Sequence, residues 1–176
     1  GDKSQIQPYL KSTSSAVLDR IQVVHTLDVV RDEDNPSHVL RNGKSSSMYL
    51  AVELLQSERV GAMVSAGNTG ALLMIGRHLL KTISGIQRPA IVASIPGATR
   101  QCFLLDVGAN LECNAQQLFE FAVMGSVLAE SLQGEVASVG LLNIGSEQFK
   151  GTDDVREAGL LMDRCPAFDY VGFIEA

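Results

Sequence analysis

Val60–Leu73 reads VGAMVSAGNTGALL, and its reading decides the fold. A short apolar run, Val60–Val64, has turn-forming residues at both ends and predicts a strand. Ser65-Ala66-Gly67-Asn68-Thr69-Gly70 follows, and the chain then enters an apolar segment with helical spacing, Ala71–Ile83. Strand, glycine-rich turn and helix form the layout of an anion site, because the first backbone N–H groups of a helix lack partners within it. Glycines let the backbone approach an anion, and small hydroxyl and amide side chains add donors. No Gly-Lys-Ser/Thr closes the loop and no GxGxxG occurs in it, so it is neither a P-loop nor a dinucleotide fingerprint. The same residues also suit a plain strand-to-helix connection capped by Ser65 or Asn68.

Working outward, the N-terminal side predicts a short helix over Lys3–Lys11 interrupted by Pro8, a helical turn at Ala16–Arg20 and a strand at Ile21–His25. Leu27–Asn35, with Asp32, Glu33 and Asp34, reads as a solvated acidic loop. Pro36 opens a helix to Leu40. Arg41-Asn42-Gly43-Lys44 is a basic turn, and Ser45-Ser46-Ser47 either caps the helix Met48–Gln56 or holds an anion with Arg41 and Lys44. Arg77 and Lys81 lie four apart on the helix after the loop, with His78 beside them. That is either a solvated basic end favoured by the helix dipole or a docking patch for an acidic partner.

On the C-terminal side, Pro89–Ile95 and Cys102–Val107 predict two strands separated only by Pro96–Gln101. A parallel crossover needs a dozen or more residues, so these strands form an antiparallel hairpin if they pair. Ala115–Gln133 is the longest helix, with Leu118, Phe121, Ala122, Gly125, Leu128 and Leu132 on one stripe. Phe119, Val123, Met124 and Val127 make its middle apolar nearly all round. This predicts burial on more than one side, with Gly125 permitting close approach of a neighbour. Ser138–Leu142 is a strand, Thr152 or Asp153 caps a helix to about Arg164, and Asp169–Ile174 is the last strand. Alternating strands and helices predict an α/β fold, a three-layer sandwich whose mainly parallel sheet is interrupted by the hairpin, organised as one domain over residues 1–176.

Three loops share a pattern: SAGNTG, DVGAN and NIGSEQFKG each follow a predicted strand and lead toward a helix. Ligands of open α/β sheets gather at the carboxyl ends of strands. With parallel strands, Ser65–Gly70 and Asn143–Gly151 share an edge, and Asp106 and Asn110 join it only if their strand runs with the main set. Asn68, Asn110 and Asn143 are neutral donors, Lys150 is a cation, and Asp106 and Glu147 are carboxylates. This set suits an oxyanion or phosphate. It contains no Ser-His-Asp order, and His25, His38 and His78 show no metal spacing. Asp106, Glu112 and Glu147 are too sparse for the metal site of a decarboxylating dehydrogenase.

The chain has 176 residues, 45% hydrophobic and 19% charged, with a net charge of −6. It reads as globular, without the basic surface of a nucleic-acid coat and without an apolar run long enough for a membrane span. Cys102, Cys113 and Cys165 form no CxxC and make an odd count, which suits a reducing cytoplasmic compartment. Cys102 reads as core; Cys113, in a loop after a strand, is conceivable as a thiol nucleophile. The chain begins Gly1-Asp2, like the exit of a strand, and stops just after another.

VSAGNTGALL, RPAI, LLDVGANLECNAQQLFEFAVMGSVLAE and VGLLNIGSEQFKG, together with PSHVLRNGKSSSM, resemble the acyl-acyl-carrier-protein:phosphate acyltransferases of bacterial phospholipid synthesis, the PlsX family. The resemblance covers essentially the whole chain. It implies acyl transfer from acyl carrier protein to inorganic phosphate without a cofactor or metal. It also implies a fold similar to phosphotransacetylases and isocitrate-type dehydrogenases, and homodimers associated peripherally with the membrane. The family's first strand, with its Asp-Ala-Met-Gly-Gly-Asp motif, and the region after Glu175 are not in this sequence, and the membrane-contacting part is expected in the latter. The positions implied for phosphate are Ser65, Gly67, Asn68, Thr69 and Gly70. Those implied for catalysis are Asn143, Lys150, Asn110, Asp106 and Glu147. A phosphotransacetylase-like enzyme using acyl-coenzyme A, and a non-catalytic carrier-protein-binding module, are the alternatives.

Overall fold

The structure is a computed structural model that describes residues 1–97, 100–110 and 112–175. The chain divides into two compact units, Gly1–Lys81 and Thr82–Ala176.

The first unit is helical: α1 (Lys3–Leu10), α2 (Ser15–Leu18), α3 (Pro36–Asn42), α4 (Ser47–Gln56) and α5 (Thr69–Leu80). Apart from α2, its helix starts carry side-chain caps, each meeting N–H groups that the helix itself leaves unpaired. Asn35 accepts from Ser37 N at 2.9 Å with Pro36 at the first helical position, and Ser46 accepts from Tyr49 N at 3.3 Å. Ser46 is thereby a cap; Ser45 donates to Asp28 instead, and Arg41 Nε donates to Ser37 O at 3.1 Å. Helices α3 and α4 pack on α5 around Val39, Met48, Tyr49, Val52, Ala71 and Ile75, with Val30 of the acidic loop buried among them. Helix α1 runs through Pro8 without a break, since the ring removes only one hydrogen bond near the helix end.

Two predicted strands of this unit are absent. Ile21–His25 is non-regular; Val24 O accepts from the Gly1 ammonium at 2.9 Å and Thr26 N donates to Gly1 O at 3.2 Å. Val60–Val64 is also non-regular, and Val64 is 98% exposed. β-Branched preference reflects fit to a half-buried pleated surface, and among the described residues this unit holds no strand for either run to pair with.

The second unit is α/β. Strands β1 (Val92–Pro96) and β2 (Gln101–Leu105) form the expected antiparallel hairpin, with Val92 opposite Leu105 and Pro96 opposite Gln101. Helix α6 (Ala115–Gln133) follows, opened by a capping box in which Asn114 accepts from Gln117 N and Gln117 reaches back to Asn114 N. Strands β3 (Ser138–Asn143) and β4 (Asp169–Glu175) pair in parallel, joined by helix α7 (Asp153–Asp163) as the crossover. Parallel order and hairpin therefore both occur, as two separate two-stranded sheets.

Helices α6 and α7 share a core of Ala115, Ala122, Leu141, Ala158, Met162 and Phe168. Gly125 brings α6 onto β2: a Cβ there would lie 2.8 Å from Leu105 Cδ1. The apolar stripe of α6 is buried at Phe121 and Ala122, whereas Leu132 at its end, and Val127 off the stripe, face solvent. Cys102, expected in the core, is exposed on the hairpin. Glu120 is buried, and its carboxylate accepts from Gln87 N at 2.6 Å, which fixes the segment before β1. Among the described residues no helix is long and apolar enough to cross a membrane.

Candidate functional site

The loop Ser65–Gly70 belongs to the first unit. Asn68 is the N-cap of α5: its Oδ1 accepts from Ala71 N at 2.9 Å. Its Nδ2 donates to three backbone carbonyls, Arg31 at 3.1 Å, Asp32 at 3.2 Å and Asp34 at 3.0 Å. The side chain is fully engaged and stitches the acidic loop to the helix start. Gly70 serves packing as well as access, since a Cβ there would lie 3.0 Å from Pro36 Cγ. Ser65 Oγ accepts weakly from Gly67 N at 3.4 Å. The N–H groups of Asn68, Thr69 and Gly70 meet no acceptor among the described residues. They are the donors a negatively charged ligand would find there.

The other two loops belong to the second unit. Asp106 follows β2 in the left-handed region, at φ 61°. Its Oδ1 accepts from Asn110 N at 3.1 Å and Asn110 Nδ2 at 2.9 Å, and its Oδ2 accepts from Cys113 Sγ at 3.3 Å. Asp106 and Asn110 are thus brought together, with the aspartate acting as the knot of its loop. Asn143 ends β3; its Nδ2 donates to Lys150 O at 3.1 Å and its Oδ1 accepts from Ile144 N at 2.9 Å. Lys150 Nζ pairs with Glu147 at 2.8 Å, and Lys150 N donates to Glu147 O at 3.1 Å. The Lys150 ammonium beside it holds the exposed Glu147 carboxyl below its ordinary range, so Glu147 stays ionised rather than serving as an acid.

A single bond orders these two loops. Asp154, in the first turn of α7, accepts from Ala115 N at the start of α6 at 3.1 Å. The starts of α6 and α7 are therefore side by side. Among the described residues no cluster of His, Cys, Asp and Glu could hold a metal ion.

A family model described as fatty acid synthesis protein matches residues 1–176, the whole chain. The chain is a member of the fatty acid synthesis protein family. The phosphate acyltransferase of Shewanella loihica is 50% identical to it over 177 residues, covering 99% of this chain and 52% of the relative. That of Shewanella pealeana is 49% identical with the same coverage. The chain therefore spans about half the length of the curated relatives it matches. Among solved structures, the EutD phosphotransacetylase from Staphylococcus aureus matches with a TM-score of 0.56 at 17% identity, over 99% of this chain and 59% of that one. That likeness shows the α/β fold expected from the alternation of elements.

In this fatty acid synthesis family member, the sequence reading missed three residues that build the Asn143–Gly151 loop. Gly145 is buried, and a Cβ there would sit 2.5 Å from Lys150 Cδ and 2.6 Å from its Nζ, so any larger residue would make the Glu147–Lys150 pair shift from its present position. Gly151, at φ 88°, turns the chain beneath the Asn143 amide. Arg156 reaches back from α7 to donate to Gly151 O at 2.6 Å and Phe149 O at 3.4 Å, and pairs with Asp153. A signal for Arg156 was available: a cation in the first turn of a helix opposes the dipole and needs another partner.

Cys113 does not have the character of a nucleophile. Partial burial pushes its thiol up to about 11, and the Asp106 carboxylate that accepts its S–H adds to the rise. We expect iodoacetamide to alkylate Cys113 at pH 8 far more slowly than exposed Cys102, and Asp106→Asn to narrow the gap, as read by mass spectrometry of the labelled peptides. Equal rates in the unaltered protein would contradict this geometry.

Proposed function

We propose that the protein is a phosphate acyltransferase, moving a fatty acyl group from the thioester of acyl carrier protein to inorganic phosphate. The observation that carries the reading is the family match over the whole chain, with the SAGNTG, DVGAN and NIGSEQFKG loops each standing at a helix start or strand end. A phosphate oxygen attacks the thioester carbonyl carbon. The tetrahedral oxyanion collapses, the C–S bond breaks, and the thiolate leaves to take up a proton, giving acyl phosphate and free carrier thiol.

The chemistry asks little of acids or bases. Phosphate is already largely ionised near neutral pH, its second pKa being about 6–7 by comparison with phosphoserine, and a thiol of pKa ~8.5 is a good leaving group. Positioning and charge neutralisation remain. The N–H groups at Asn68–Gly70, with Ser65, Gly67 and Thr69 around them, are assigned to phosphate. Within the second unit, Lys150 is assigned to offset negative charge that develops in the reaction, with Glu147 as its ion-pair partner. Asn110 and Asn143 are assigned to the thioester oxygen, and Asp106 to keeping Asn110 in place. Both amides are occupied within their loops, so each would exchange a loop partner for the oxyanion or share its second N–H.

A homodimer, a cytoplasmic location and peripheral membrane association belong to the same proposal through the family resemblance. The likeness to a phosphotransacetylase fold favours one second reading, transfer from acyl-coenzyme A. The test is acyl phosphate formation by the intact protein with equal acyl chains on carrier protein and on coenzyme A. The account expects preference for the carrier-protein thioester; preference for coenzyme A establishes the second reading, and turnover of neither rejects both.

A further inference from the structure

We infer that Arg156 is the positioning residue that holds Lys150 in its working place, an inference resting on the reading of Lys150 as the charge-offsetting cation. Three successive carbonyls around Lys150 each receive a side-chain donor. Phe149 O and Gly151 O accept from the Arg156 guanidinium at 3.4 and 2.6 Å, and Lys150 O accepts from Asn143 Nδ2 at 3.1 Å. The lysine's backbone is thereby fixed on both sides, and its ammonium is left to Glu147 above the buried Gly145. One guanidinium nitrogen, Nη1, serves both carbonyls while the other, Nη2, meets Asp153, so the planar group ties the loop to the start of α7 in a fixed geometry. Asp153 pairs with a further N–H of Arg156 and orients the fork. The cation also stands where the dipole of α7 disfavours it, so its position is bought by these loop contacts rather than by the helix.

The test compares Arg156→Ala, Arg156→Gln and Arg156→Lys with Lys150→Ala in the intact protein, measuring KM for phosphate, KM for the acyl donor and kcat. We expect Arg156→Ala and Arg156→Gln to raise the phosphate KM or lower kcat by roughly 10- to 100-fold, the scale of a misplaced group. The acyl-donor KM should stay near its original value and the circular dichroism should be unchanged. Arg156→Lys should restore part of the loss, and free guanidinium at a non-denaturing concentration should rescue Arg156→Ala but not Lys150→Ala. Unaltered kinetics in both truncations, loss of folding in both, or equal loss toward the two substrates without rescue would overturn the inference. A Lys150→Ala protein with normal kinetics would instead overturn the reading of the site on which it rests.

Discussion

Lys150→Ala in the intact protein should slow acyl phosphate formation by ~10²–10³-fold, equivalent to roughly 3–4 kcal/mol of barrier, the scale for removing one preorganised electrostatic partner of an oxyanion. The effect should fall on the reaction and not on the fold. The Glu147–Lys150 pair is solvent-accessible, with side chains 46% and 36% exposed, and exposed ion pairs contribute little to stability. Lys150→Arg should recover only part of the rate, because Gly145 leaves space fitted to the slender lysine stem and the guanidinium distributes its charge differently. Glu147→Gln separates the roles further. It removes the carboxylate paired with Lys150, so the ammonium is free to meet a developing negative charge and turnover should fall far less than in Lys150→Ala. Rates of acyl phosphate formation, trapped with hydroxylamine, check the series; near-normal turnover by Lys150→Ala would remove Lys150 from the mechanism.

The second large effect is expected at Asn68, where stability and anion binding are joined. Asn68→Ala removes the cap of α5, worth ~1 kcal/mol, and releases the carbonyls of Arg31, Asp32 and Asp34 from their shared donor. Because most of those contacts are open to water, the total cost should be about 2 kcal/mol rather than the sum for fully buried groups. Asn68→Asp is the more telling change. Aspartate caps a helix as well as asparagine does, so a residue that only capped would tolerate it. Here Nδ2 becomes a carboxylate oxygen facing three carbonyls, and the added charge also repels an incoming anion. Asn68→Asp should therefore destabilise at least as much as Asn68→Ala and weaken phosphate binding more. Denaturant unfolding with and without phosphate reads both effects, since a ligand specific for the folded state raises its stability. Wild-type stability in Asn68→Asp would reduce Asn68 to a simple cap.

The helices were legible because their signals are local. Asn35-Pro36, Ser46, Asn114 and Thr152 mark helix starts through side chains that reach N–H groups within a few residues. The hairpin was legible from the short connection between β1 and β2, and the parallel β3–α7–β4 unit from the alternation of strand and helix. Ile21–His25 and Val60–Val64 were misread because β-branched composition records a tolerance for sheets, while a strand exists only with a partner. Cys102 was misplaced for a related reason. Its apolar neighbours lie on a two-stranded hairpin, and such a ribbon leaves part of its surface in solvent.

Within the loops, residue types were readable but their present engagements were not. Asn68, Asn110 and Asn143 were recognised as amide donors; Asn110 and Asn143 are engaged within their own loops and Asn68 with the carbonyls of the acidic loop. The glycine at 145 and the arginine at 156 carry the geometry of the Lys150 loop; Gly145 lies within NIGSEQFKG but was read only as part of its turn, and Arg156 lies beyond that motif. Their contacts depend on the closing of a loop between a strand end and a helix start, which spacing does not specify.

The central claim is that the unpaired N–H groups at the start of α5 receive phosphate. A crystal structure of the intact protein in saturating phosphate tests it most directly. The account predicts an anion within hydrogen-bonding reach of the Asn68, Thr69 and Gly70 amides. Phosphate bound elsewhere, with that helix start empty, would contradict it.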